Sequence, residues 1–135
     1  MKRELGFTIT ELLMCIAVIG ALAALALPEY SQYRTRAFDL RAKADLKSAI
    51  AGQETLVAGG GDYVACSNAE CTVALPAFML SPGVRLSMAP ARDGNTFAAQ
   101  ASHLQGAVSY FFDSAEGIFH EEDPNVAQSN ESGIS

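Results

Sequence analysis

The sequence predicts an α+β chain: one long, kinked N-terminal α-helix packed on a small antiparallel β-sheet head. Three observations carry this reading. An apolar run from Phe7 to Leu27 continues into helically spaced residues as far as Val57, with Pro28 the one strong breaker and Gly20 a weak one. The glycines Gly59, Gly60 and Gly61 then close the run, as C-cap glycines do. After them come short alternating segments separated by turn residues, the pattern of an antiparallel meander.

Composition bounds the function. At 135 residues the chain fits one modest domain plus an appendage. The net charge of -6 argues against a general nucleic-acid binder, which needs a basic face. Charge is unevenly placed. Arg34, Arg36, Arg41, Lys43 and Lys47 outweigh Asp39 and Asp45 along one stretch. From Ser48 onward the only bases are Arg85 and Arg92, against many acids. A basic stem therefore leads into an acidic body.

The N-terminus reads first as a targeting segment, with "MKRELG" before an apolar stretch. A secretory signal peptide would be cut at a small-residue site such as "ALALPEY", which places Pro28 beside the cut. Glu11 fits that reading poorly, because an acid in a membrane span costs about 2.5–3.5 kcal/mol at mid-bilayer and by default marks function. A cut after Gly6 accounts for it better. Phe7 then becomes the N-terminus, and its α-amine and the Glu11 carboxylate stand at i and i+4, on one helix face. The acid pairs with its own amine or with that of a neighbouring chain. The second option makes Glu11 an assembly device, since an unpaired buried carboxylate costs several kcal/mol.

The helix is expected to kink or melt locally near Ala24, because proline removes a donor and clashes with the carbonyl four residues back. A helix ending at Leu27 is the competing reading. Beyond Pro28, Tyr33, Ala37, Leu40 and Ala44 keep helical spacing, as do Leu46, Ile50 and Val57, and the face from Leu40 to Val57 is expected to carry the head. A helix of this length is roughly 75 Å long, too long for a domain of this mass to cover. Its first half, apolar all round, needs lipid or other copies of itself.

In the head, "GVRLSMA" alternates, with Val84, Leu86 and Met88 on one face and Arg85 and Ser87 on the other. "ARDGN" supplies a turn with an Asp-Gly step. "TFAAQA" and "AVSYFF" follow, separated by "SHLQG", and "DSAEG" turns into a short fourth strand at Ile118 and Phe119. The divisions expected are 1–6 leader, 7–29 apolar helix, 30–58 amphipathic helix, 59–122 head and 123–135 polar tail.

The stretch "GFTITELLMCIAVIGALAALALPEYSQYRTRA" resembles the N-terminus of type IV pilins, in particular the type IVa class with its very short leader. Gly6, Phe7 and Glu11 match the family signature, as do Gly20, Pro28, Tyr30 and Tyr33. The match covers Lys2 to about Lys47. The resemblance implies a pilin-like fold, cleavage after Gly6 and N-methylation of Phe7 by a membrane prepilin peptidase. It also implies assembly through Glu11, Gly20 and Pro28, with Glu11 on the Phe7 amine of an adjacent subunit. Its implied partners are other copies and related pilins in a helical filament, an inner-membrane assembly platform, and membrane lipid before assembly. Adhesion, twitching motility or DNA uptake are the implied roles, in a chain held first in the bacterial inner membrane and then in a surface pilus. A pseudopilin of a type II secretion system shares the architecture. A monomeric membrane-anchored binding module is the remaining class, and Glu11 separates it from a filament subunit.

Cys66 and Cys71 lie in one loop segment, and an exported head lets them form a disulfide worth about 2 kcal/mol for so short a loop. Cys15 is expected to stay reduced in the apolar helix. No catalytic residue, metal site or cofactor is read from the sequence: His103 in a turn and His120 near the last strand read as packing or surface residues, and no metal-ligand spacing is present.

Overall fold

A computed structural model describes residues 6–123. The expected leader (1–6) and polar tail (123–135) lie, apart from Gly6 and Asp123, outside the described residues. The chain divides into two compact units, Met1–Arg34 and Thr35–Ser135. Helix α1 (Ile9–Ala58) begins in the first and ends in the second.

The helix starts two residues later than Phe7 because Thr8 serves as its N-cap. It runs unbroken through Pro28, so local melting near Ala24 does not occur. Ser31 Oγ instead donates to the Pro28 carbonyl at 2.9 Å. The end is set by the glycines. Gly60 takes φ +86°, its N–H donates to Val57 O at 3.0 Å, and Gly61 N–H donates to Leu56 O at 3.0 Å. That pair of bonds is a Schellman motif, which needs a left-handed residue at the first position past the cap.

The second unit is a five-stranded antiparallel meander in the order β1-β2-β3-β4-β5, laid on the later part of α1. The strands are β1 (Cys66–Ser67), β2 (Val84–Pro90), β3 (Phe97–His103), β4 (Ser109–Asp113) and β5 (Ile118–Glu122). The three-strand reading with a short fourth gains β1, two residues paired to Met88 and Ser87, and β5 proves longer than the pair Ile118 and Phe119. A short helix α2 (Glu70–Ala74) follows β1. The cysteines are therefore not both in loop. Cys66 lies in β1, Cys71 in α2, and the disulfide joins them with Cα atoms 5.0 Å apart. His103 is likewise not in a turn; it ends β3, buried.

The core joins Ala42, Leu46 and Ala49 of α1 to Val84, Leu86, Met88, Phe97, Ala99, Ala101 and Tyr110 of the sheet. The helix face that carries the head is only partly the one the apolar spacing indicated: Leu46 is fully buried and Ile50 packs against the core, but the earlier line of the spacing faces away from it. Ala37, Leu40 and Ala44 are exposed, Leu40 by 63%. The buried face is Asp39, Ala42, Asp45, Leu46, Ala49, Gly52 and Gln53. Its polar members are there because each satisfies a connecting segment. Asp39 Oδ1 accepts from Ala107 N and Val108 N at 2.9 and 3.1 Å. Asp45 accepts from Ser81 N and Ser81 Oγ at 2.7 and 2.9 Å. Gln53 bonds both backbone groups of Val64. Buried backbone groups must be paired, and three helix side chains do this for three loops.

Candidate functional site

The N-terminal unit presents apolar side chains on every side of α1. Phe7, Ile9, Leu12, Leu13, Met14, Ile16, Val18, Ile19, Leu22, Leu25 and Leu27 are all exposed, Phe7 by 84%. The helix is long and apolar enough to cross a membrane. A surface of this kind is stable only against lipid or other apolar chains.

Glu11 stands at the head of this surface. Thr8 N–H and Thr8 Oγ1 both donate to Glu11 Oε2 at 2.9 Å. Glu11 N–H in turn meets Thr8 Oγ1 at 3.3 Å. Thr8 is the N-cap and Glu11 the third helical residue, so the two form a reciprocal capping box that satisfies two orphan donors. The carboxylate also lies where the positive end of the helix dipole favours an anion. The sequence reading weighed only amine partners for Glu11. The Thr-x-x-Glu spacing ahead of an apolar run was the signal for this one.

The other singled-out positions fall as follows. Gly6 precedes the helix, and neither it nor Gly20 has an atom within 4 Å of where a Cβ would stand. Gly20 is thus a gap in the exposed surface of the helix. Pro28 lies inside the helix. Cys15 is a free, exposed thiol. Cys66 and Cys71 are bonded, in the other unit. Among the described residues, no group of three His, Cys, Asp or Glu side chains is placed to hold a metal ion.

In the second unit the basic residues divide. Lys43 ion-pairs with Glu121 and lies 5.2 Å from the Tyr110 ring centroid. Lys47 lies 5.8 Å from the Phe119 centroid, and Arg41 6.0 Å from that of Phe38. The lysines thus fasten β4 and β5 to α1. Arg36, Leu40 and Ala44 remain exposed on the helix.

No protein-family model matches the chain. Among individual proteins, it is 33% identical over 72 residues to a fimbrial protein of Pseudomonas aeruginosa, covering 53% of this chain and 47% of that protein. The chain therefore spans about half the length of that relative. It is 38% identical over 53 residues to the type IV major pilin protein PilA of Myxococcus xanthus, 39% of this chain and 24% of that one. It is 30% identical over 119 residues to the type IV wide pilus major component PilA4 of Thermus thermophilus, 88% of each chain. That alignment takes in the apolar helix and most of the sheet together, and the chain belongs to the type IV pilin family.

Proposed function

We infer that the chain is a structural subunit of a type IV pilus, polymerised through α1. The observation that carries this is the exposed apolar helix opening on Glu11, in a chain that aligns with a named pilus component over 88% of both lengths. An apolar surface this large has to be covered, and a helical filament of copies covers it.

In this reading a prepilin peptidase removes the leader after Gly6 and methylates Phe7. The cleavage creates a cation where the leader peptide bond had been neutral. Glu11 then has two claims on it, the Thr8 cap of its own helix and the Phe7 amine of an adjacent subunit. In the apolar filament interior the charged partner is the stronger one, because charge-assisted hydrogen bonds exceed neutral ones and an unpaired charge there is costly. Until assembly the helix rests in the inner membrane, with lipid as its cover and the assembly platform as its next partner. Once assembled, the head faces the cell exterior as part of a surface filament. Adhesion, motility and DNA uptake are the roles such a filament serves.

Replacing Glu11 by Ala tests the proposal. A filament subunit loses surface filaments while the chain still accumulates in the membrane. A monomeric anchor would tolerate the change, and filaments at the unmodified yield would refute the reading.

A further inference from the structure

The outer face of the sheet carries an aligned row of side chains that the helix does not use. Strand alternation buries Val84, Leu86, Met88, Phe97, Ala99 and Ala101 against α1 and turns the intervening residues away from the core. The strand register makes Ser67, Ser87, Gln100, Phe111 and His120 successive cross-strand partners. At about 4.8 Å between strands, the row is roughly 19 Å long. Two shallow grooves, of about 330 and 270 Å³, open along it and share Ser87 and Gln100. Ala89 and Ala98 floor the first beside the half-buried Phe111. Arg85 and its cross-strand partner Ser102 line the second with Asn68.

The chemistry of the row is directional. At one end Arg85 is exposed and has no ion pair among the described residues. With Arg92 it is one of only two Lys or Arg residues after Ser48. A guanidinium fork matches a carboxylate bidentately. Around it stand the hydroxyls of Ser67, Ser87 and Ser102 and the amide of Gln100. Asn68 Oδ1 already accepts from Leu86 N at 3.1 Å, which leaves the Asn68 NH₂ group as a donor. In the middle, Phe111 supplies a ring over a floor of small residues. At the other end Asp113 lines the groove, and His120 there is paired with Glu116 at 3.3 Å. Those carboxylates accept hydroxyl hydrogens and repel a second anion. A polyphosphate chain, charged at every unit, fits this gradient poorly. A ligand with hydroxyls throughout, an apolar ring face and a carboxylate at one end fits it well.

We propose that the outer sheet face binds an acidic oligosaccharide, with a uronic-acid carboxylate on Arg85 and a sugar ring against Phe111. The full chain in detergent, isotope-labelled for NMR, is titrated with a hyaluronan disaccharide, one glucuronate joined to one neutral amino sugar. The same disaccharide with its carboxylate reduced to an alcohol is the control. Saturable shifts are expected at Ser87, Gln100 and Phe111, with the reduced sugar bound about tenfold more weakly. Arg85→Gln should bring the acidic sugar down to the level of the reduced one and leave the reduced one unchanged, a pattern that misfolding does not produce. Phe111→Leu should weaken both. No saturable shift at millimolar sugar, equal affinity for the acidic and reduced forms, or preference for a single-stranded oligonucleotide would each overturn the proposal.

Discussion

Gln53 meets Val64 twice. Its Nε2 donates to Val64 O at 2.6 Å, and Val64 N donates to Gln53 Oε1 at 3.0 Å, so one side-chain amide on α1 stands in for a paired strand. Gln53 is itself fully buried, with Met88 Sδ 3.9 Å from its nitrogen. Gln53→Leu keeps the volume but leaves both Val64 groups without their partner. A loss of about 1–3 kcal/mol is expected, read as a lowered denaturant midpoint of the full chain. An unchanged midpoint would mean that water replaces the amide at no cost.

Gly106 is held tightly against Asp39. A Cβ on Gly106 would stand 2.2 Å from Asp39 Oδ1. Gly106→Ala should therefore break the bonds from Ala107 and Val108 to that oxygen, and with them the attachment of the β3–β4 connection to α1. The expected cost is about 2–4 kcal/mol, in the range of a broken buried network. Asp39→Ala removes the same acceptor. If the double variant is no worse than either alone, the two act through one contact.

The disulfide fastens β1 to α2, and the antiparallel pairing of Cys66 with Met88 ties both to the sheet. Replacing Cys66 and Cys71 by Ser should cost about 2 kcal/mol, or roughly 10 °C in Tm. Amide exchange should rise first at Ser67 and Asn68, at the sheet edge. Equal acceleration across β3 and β4 would show that the staple acts on the whole head.

Alkaline pH should loosen the head. The hydrogen bond that Lys43 donates to Glu121 holds Lys43 above the ordinary lysine range, with burial opposing it. Burial, then Glu121 and Asp39, raises Tyr110; burial, then Glu54, raises Tyr63. In all three the folded state keeps its proton longer than the unfolded chain. Their contribution is complete below the unfolded values, about 10 to 10.4, and is lost as pH rises through the raised folded ones. Tm should stay level from neutral to about pH 9 and fall above about pH 10. Lys43→Met should flatten part of that fall. A Tm that rises above pH 10 would contradict the assignment.

Much of this was legible in the sequence, for identifiable reasons. The apolar run, the glycines after Ala58 and the strict alternation of Val84 to Met88 are local signals, and the structure follows them. The helix face was read only in part, right at Leu46 and Ile50 and wrong at Leu40, because spacing counts apolar residues and does not see which polar ones have partners. Asp39, Asp45 and Gln53 are buried because Ala107, Ser81 and Val64, distant in sequence, need acceptors or donors. Strand β1 was missed because two residues carry no period; its partner Met88 defines it. His103 was placed in a turn by its neighbours Leu104 to Gly106. Its ring in fact stacks on Phe38 with centroids 4.4 Å apart, and Gln105 N donates to its Nδ1 at 3.0 Å. At the start of α1, Glu11 was recognisable by being an acid before an apolar run, and its cap on Thr8 by spacing alone.

The capping box and the proposed intersubunit role of Glu11 can be separated. Thr8→Ala removes the hydroxyl that meets both Glu11 Oε2 and Glu11 N and costs the helix about 1 kcal/mol, but leaves the carboxylate. Filaments should still form from Thr8→Ala and fail from Glu11→Ala. Equal loss in both would assign Glu11 a capping role alone.

The most direct test of the central claim is the intact mass of the protein in filaments sheared from cells. The account predicts that this chain is the dominant species, beginning at Phe7 with one added methyl group and carrying the Cys66–Cys71 bond. Filaments that lack the chain, or contain it uncut or beginning after Ala26, would contradict it.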